Sequence, residues 1–485
     1  MEPVIPHREQ QAAAKRKLAA LEKRAGKKPN ILIYLMDNVG WGEPGIYGGG
    51  LMAGAPTPNM DRLGREGLQL LSTYSQPSSS PSRCTLLTGR LPVRHGQLRP
   101  VLPGEAGSLG GEITVAQLLS KTGYMTQSVG KWYCGEDPES QPQNVGFHDV
   151  YGFLGWAAPR TNWWDAGTCA EFVLSPVLAR SMLFSKNVVH ATGGHDVDDL
   201  EEITPEVSAE LEEEFAAYSI GFIGKMAGSD RPFLLYHATR GGHFGNYPNP
   251  ACLGKSLAGH PCKDIIVEQD DVLGRLVEAL EETGQLENTL ILVTSDHGPM
   301  TGCWPDAGYT PFNGGIGGAE EGSVRVPGIV YWRGMISPGQ VSDGLFDLAD
   351  LFNTSAALAG VEYRPPMDRY ADGIDQTSFL LADAGESNRK YIYYWCSDRL
   401  AGLRVAEYKV VMEGMLEDDA VGANPGAAAV LPDYRYCKGF NLYLDPKEQH
   451  SFLNGQAFLD AVFVPPWQAH LATFAKYPPK GQAKA

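Results

Sequence analysis

Three unbroken apolar runs constrain this chain more than anything else in it. Ile31-Leu32-Ile33-Tyr34-Leu35-Met36, Phe233-Leu234-Leu235-Tyr236 and Leu290-Ile291-Leu292-Val293 are too short for typical helices and show no polar alternation. Such a run reads as a strand buried on both faces of a parallel sheet. The segments between them supply helices. Thr204-Pro205 is a good N-cap and first-turn pair ahead of Val207, Leu211, Phe215, Tyr218 and Phe222 on one face. Val272, Leu273, Leu276, Val277 and Leu280 mark another, which stops before Gly284. Strands alternating with amphipathic helices give an α/β fold with a large, mainly parallel sheet. Gly344 to Gly360 reads as one more helical segment. Alternating, aromatic-rich stretches at Tyr391 to Trp395 and Leu403 to Met412 then predict a small antiparallel sheet in a C-terminal α+β domain. The expected division is a basic helical arm at 1–28, a large domain at 29–385 and a small one at 386–485.

Composition excludes more than it assigns. A net charge of -17 argues against a nucleic-acid partner, which would need a basic face. No stretch is apolar and long enough to span a bilayer, so no membrane is expected. The N-terminus has basic residues with no apolar run behind them, which predicts a cytoplasmic protein; a leader already removed would instead mean periplasmic or secreted. Eight cysteines without regular spacing predict no disulfide framework, although Cys252 and Cys262 flank one loop and can approach each other. The arm at residues 7–28 reads as solvated, or as a clasp that would make a homo-oligomer. The acidic segment Asp196 to Glu214 reads as a solvated loop and helix face.

Two of the apolar runs end alike, in Asp37-Asn38-Val39-Gly40 and Ser295-Asp296-His297-Gly298. Taken singly, each is the ordinary turn that closes a strand. In open α/β sheets, however, ligands collect beyond the carboxyl ends of strands, so the two can converge. Two carboxylates, an amide and an imidazole can together hold a divalent cation, and the oxygen donors suit a hard ion such as Ca²⁺ or Mg²⁺. Gln76 to Arg90 (QPSSSPSRCTLLTGR) adds a short helix that begins near Ser79 and ends at Gly89. A serine there is by default a cap. A nucleophile there would also see the helix dipole, with Arg83 able to fork onto two oxygens.

With PNILIYLMDN, SSPSRCTLLTGR, SVGKWYCG, GFHDVYGFLG, VLGRLVEALEETGQLENTLILVTSDHG and EEGSVRVPGIVYWRG in order from Asn30 to about Phe452, the chain resembles the sulfatase family of the alkaline phosphatase superfamily. The resemblance implies hydrolysis of an aryl, alkyl or sugar sulfate ester. It places Ser79 where the family carries a Cys or Ser converted by a maturase to formylglycine. The hydrated aldehyde has two hydroxyls, one to attack sulfur and one to expel sulfate. By the same resemblance Asp37, Asn38, Asp296 and His297 would join residue 79 around the cation, Ca²⁺ before Mg²⁺. Arg83 would steady the site, Lys131 would bind the sulfate, His243 would assist the leaving group and Arg240 would lie near the substrate.

Three positions depart from the family pattern. Asn38 stands for a second Asp. Tyr133 stands for the His after GKW, and a phenol of pKa about 10 is a poor base near neutrality. Ile316 stands for a Lys five residues before Glu321. Losing that cation would cost ~2–4 kcal/mol of transition-state stabilisation unless Arg240, Arg325 or His237 replaces it. Two further readings therefore stand beside the sulfatase: a phosphate or phosphonate ester hydrolase using Ser79, and a sulfate-ester-binding pseudoenzyme. Trp156, Trp163, Trp164 and Tyr247, with the unshared stretch from Ala157 to Asp199, are the expected seat of specificity.

Overall fold

The three apolar runs become neighbouring strands of one sheet. A computed structural model describes residues 1–102, 105–155, 187–243, 245–412, 437–451 and 456–480; Trp156, Trp163, Trp164 and most of the unshared stretch lie outside them. The large sheet takes β1 (Asn30–Met36), β2 (Leu68–Tyr74), β3 (Met125–Lys131), β4 (Asp149–Phe153), β5 (Asn187–Thr192) and β6 (Asp198–Glu202). It continues with β7 (Phe233–Ala238), β8 (Thr289–Ser295), β9 (Arg325–Tyr331), β10 (Gln340–Ser342) and β11 (Phe346–Asp347). The order is β10-β2-β9-β8-β1-β7-β3-β4-β5-β6, with β11 also on β2. The central block β8-β1-β7-β3-β4 is parallel, and the sheet turns antiparallel at β9 on one side and at β5 on the other.

Successive residues of β1 enter two different cores. Ile31, Ile33 and Leu35 face one layer, while Leu32, Tyr34 and Met36 face the other. Neither face meets water, so the run has no polar alternation. The layers are built around α1 (Arg8–Ala25), α2 (Ser79–Thr88), α3 (Pro205–Met226), α4 (Pro261–Glu282), α5 (Asp350–Leu358) and α6 (Thr377–Leu381). Thr204 Oγ1 accepts from Val207 N at 3.3 Å, which caps α3 as its sequence predicts. The basic arm is not solvated. Ala14 and Leu21 of α1 are buried, and Lys17 Nζ donates to the carbonyls of Met335 and Leu381. The acidic segment is only partly as expected: β6 is an exposed edge strand, but Glu212 on α3 is buried.

The C-terminal sheet runs β12 (Tyr391–Cys396), β13 (Arg399–Val405), β14 (Tyr408–Met412), β15 (Cys437–Asn441), antiparallel throughout. One face packs under α7 (Gln456–Lys476), with Tyr393, Trp395, Leu403 and Val410 against Phe463. Ile392, Tyr394, Ala401 and Val411 on the other face share a core with Tyr74, Ala319 and Val324 of the large domain.

An ionic hub closes this joint. The Glu321 carboxylate, fully buried, accepts from the Tyr74 hydroxyl at 2.6 Å, Lys409 Nζ at 3.0 Å and Arg325 Nη1 at 3.3 Å. Lys409 Nζ also reaches Ala319 O at 2.6 Å and Glu448 Oε1 at 2.7 Å, and Glu321 N donates to Glu448 Oε2 at 2.7 Å. Burial pushes the Glu448 carboxyl up to about 7 against the pull of Lys409. Cys84, Cys134, Cys252, Cys262, Cys303 and Cys396 are free thiols, so Cys252 and Cys262 do not pair. Among the described residues no helix is long and apolar enough to cross a membrane.

Candidate active site

The two strand-ending motifs converge because β1 and β8 are paired in parallel, Met36 beside Ser295. Asp37 and Asn38 leave β1 where Asp296 and His297 leave β8, and Asp296 N donates to Met36 O at 3.0 Å. Ligand atoms of Asp37, Asp296 and His297 all lie within 4.8 Å of one another, and all three residues are fully buried. Asn38 takes a left-handed backbone (φ 58°), and neither its Oδ1 nor its Nδ2 has a hydrogen-bond partner in the protein. A strained residue with an orphaned buried amide is rare away from functional sites. A hard cation would give the orphaned Oδ1 a partner, so the four residues fit a divalent metal.

Ser79 opens α2 and points into this cluster. Its Oγ lies 3.4 Å from Asp37 Oδ1 and 2.9 Å from His297 Nε2. On the far side of the imidazole, Nδ1 is 2.7 Å from Gly298 O, which can only accept, so Nδ1 carries a proton. Nε2 is thereby aimed at Ser79 and the carboxylates. The serine is not the cap: α2 is preceded by Ser78, which makes no side-chain cap bond.

Arg83 sits one turn along α2 with no solvent exposure. The fork expected to grip an anion is spent on the protein: Nε and Nη2 both donate to Asp296 Oδ2 (3.1 and 2.8 Å), and Nη1 donates to Lys131 O at 2.8 Å. Lys131 ends β3 and places Nζ 2.5 Å from Asp37 Oδ2 and 4.7 Å from the centre of the Tyr133 ring. Burial raises the Asp37 carboxyl and lowers the Lys131 ammonium, and each opposes that drift in the other. The two carboxylates balance the two cations, so a bound divalent ion would leave the pocket net positive, as an anionic ester requires.

Tyr133 also has a left-handed backbone (φ 54°), and burial pushes its phenol well above the ordinary tyrosine range. It is no base. Ile316 lies on a half-buried loop held by Ile316 N to Pro299 O and Gly317 N to Pro77 O (3.0 and 2.8 Å). Each of the three groups named as replacements for its missing cation makes contacts elsewhere in the protein. His237 lies behind the sheet, stacked on Tyr34 and bonded to Ser219, and burial drives it down to about 3. Arg325 donates to Leu71 O, Ser72 and Glu321. Arg240 donates Nη1 and Nη2 to Gly245 O at 3.1 and 3.3 Å, not into the cluster.

His243 follows on the same turn and is half-buried. Its neighbour Gly242 (φ 97°) passes so close to Asp37 that a Cβ there would lie 2.1 Å from Asp37 O, which draws this turn against the metal cluster. Sequence reasoning missed Glu212, whose Oε1 accepts from Arg240 N and Gly241 N at the root of the turn. Its position one residue after Leu211 and three before Phe215, inside the apolar stripe of α3, was the available signal. A second carboxylate–imidazole group brings together Glu2, Asp372 and His470. Arg94 already occupies Asp372, and the Trp395 indole donates to His470 Nε2.

Comparisons with known proteins show the family. The family described as Sulfatase matches residues 29–361. The N-acetylgalactosamine-6-sulfatase of Canis lupus familiaris is 32% identical over 397 residues, spanning 79% of this chain and 72% of that protein. Arylsulfatase A of Homo sapiens is 32% identical over 455 residues, 89% of this chain and 84% of that one. The crystal structure of the PsFucS1 sulfatase from Pseudoalteromonas sp. superposes with a TM-score of 0.90 at 41% identity, over 99% of this chain and 97% of that chain. Motif order, site geometry and full-length similarity together make the conclusion plain: this chain belongs to the sulfatase family.

Proposed function

We propose that this chain carries out the sulfate-ester hydrolysis of its family with residue 79 converted to formylglycine and a calcium ion held by Asp37, Asn38, Asp296 and His297. The observation that carries the proposal is Ser79 Oγ itself, seated between Asp37 and His297 beside the orphaned Asn38 amide. A lone serine can attack sulfur once, but it has no second hydroxyl with which to expel sulfate. The modified residue supplies both hydroxyls, and the cation lowers the pKa of the attacking one.

The other roles belong to this chain's own side chains. Lys131 binds a sulfate oxygen while its charge is balanced by Asp37. Arg83 keeps Asp296 ionised and oriented. His243 hands a proton to the oxygen of the departing alcohol or phenol as the sulfur–oxygen bond breaks. A maturase that accepts serine is the implied partner.

The substrate class that fits best is a sulfated sugar. Trp304 is 82% exposed on the loop that follows Asp296-His297. That loop meets the His243 turn where Asn246 Nδ2 approaches Asp306 Oδ1 at 3.4 Å. An exposed indole on a loop that touches the His243 turn suits the apolar face of a sugar ring. The relatives named N-acetylgalactosamine-6-sulfatase point the same way.

Mass spectrometry of the peptide holding residue 79, paired with aryl sulfate and aryl phosphate assays, tests the proposal. The active form should be lighter by two hydrogens at residue 79 and should release sulfate. Repeated sulfate turnover by protein carrying only serine there would overturn it. Phosphate turnover by that serine form would favour the phosphatase reading instead.

A further inference from the structure

The turn that carries His243 is held at both ends by buried charged side chains that bond its backbone, and we infer that Glu212 and Arg240 are positioning residues for the proton transfer to the leaving group. The inference rests on His243 acting as that proton donor.

The turn runs Arg240-Gly241-Gly242-His243 and on to Gly245, so glycine dominates it. Gly242 and Gly245 both have positive φ (97° and 78°). Such a backbone has wide conformational freedom and cannot by itself hold an imidazole in place. Two residues that do not face the metal cluster supply the constraint. At the root, Glu212 Oε1 accepts from Arg240 N at 2.7 Å and from Gly241 N at 2.8 Å. At the far end the Arg240 guanidinium folds back and donates to Gly245 O at 3.1 and 3.3 Å. One residue thus gives its backbone to the first clasp and its side chain to the second. Asn246 completes the brace, its Oδ1 accepting from Gly242 N at 3.2 Å.

Both charged side chains are buried, Glu212 with 2% and Arg240 with 3% of its surface exposed. Burying a carboxylate and a guanidinium has a large desolvation cost. The charges are accounted for by what they orient. A displacement of about 1 Å at a group that must meet a reacting atom can lower a rate about a hundredfold. Gly242 has no slack on the other side, because it lies against Asp37 O.

The test uses the matured, calcium-loaded enzyme and aryl sulfates of graded leaving-group acidity, from 4-nitrophenyl sulfate to phenyl sulfate. A good leaving group departs with little help, whereas a poor one needs the proton. Arg240→Met and Glu212→Leu should lower kcat for phenyl sulfate about tenfold more than for 4-nitrophenyl sulfate, with KM little changed, and Glu212→Gln should recover part of the loss. His243→Ala is the reference and should show the steepest dependence of all. If His243→Ala reduces both substrates equally, the role given to His243 fails. If His243→Ala shows the dependence but the Arg240 and Glu212 variants do not, the clamp is overturned. A raised KM of equal size for all esters in Arg240→Met would also overturn it, by making Arg240 a direct sulfate ligand. Should Arg240→Met not fold, Glu212→Leu carries the same comparison, with Glu212→Gln as its conservative rescue.

Discussion

Replacing Lys409 with methionine separates electrostatics from packing at the joint between the two sheets. Methionine keeps most of the volume but removes an ammonium that touches Ala319 O, Glu321 and Glu448 with no exposure to solvent. Glu321 survives the change, because Arg325 and the hydroxyls of Tyr74 and Tyr394 still face it. Among the described residues, Glu448 then keeps the backbone N–H of Glu321 as its hydrogen-bond donor. Breaking a buried pair costs ~3–5 kcal/mol, and protonation of Glu448 softens this to the lower end, about 3 kcal/mol near pH 6. The pH dependence follows from Glu448, whose carboxyl is already raised to about 7 in the folded protein. A carboxyl raised on folding stabilises while protonated, so that stability is lost as pH rises through the folded pKa. Without the lysine the folded pKa moves higher still, and the decline continues past pH 7 by about 1.4 kcal/mol per pH unit. Urea midpoints at unchanged slope, measured at pH 6 and 8.5, read the effect. Lys409→Met/Glu448→Gln should lose the extra decline. A single-variant deficit below about 1 kcal/mol, or one identical at the two pH values, would refute the reasoning.

Other expectations concern the cluster around residue 79. Asn38→Asp restores the family's second carboxylate and should tighten calcium binding about tenfold or more by titration calorimetry, since ligand charge tunes such sites. Chelation should abolish sulfate release and calcium should restore it. Tyr133→Phe should leave turnover within about threefold, because a phenol raised further above its ordinary pKa takes no proton near neutrality. Ser79→Ala should end sulfate release while leaving the urea midpoint of the fold nearly unchanged.

The sheet was legible because its strands are buried on both faces, and that leaves a pattern in single residues: Ile31 to Met36 could hardly be anything else. The pairing of Asp37 with Asp296 was legible too, since parallel neighbours end on the same side. What the letters did not show depends on contacts far apart in the chain. Glu212 looks like one more acid in an acidic run, and only the return of β7 beside α3 turns it into a clasp. Arg83 and Arg240 looked like anion ligands, yet Arg83 forks onto Asp296 and Lys131 O, and the two terminal nitrogens of Arg240 donate to Gly245 O. The arm at α1 read as solvated or as a clasp onto a second subunit, whereas it packs on its own chain at the α6 region, more than 300 residues away.

The burial of Ser79 sets a deadline for its own chemistry. In the folded chain that residue is 3% exposed, inside a helix, against a histidine that lies 218 residues further along. If residue 79 is converted as proposed, a maturase would have to act while the segment is still extended, before β8 arrives to lay Asp296 and His297 over the serine. At ribosomal speeds of about 5–20 residues per second, that histidine emerges roughly 10–45 seconds later. The order in which the polypeptide is made, and not only its final shape, would then decide whether a given copy leaves the ribosome able to turn over sulfate at all.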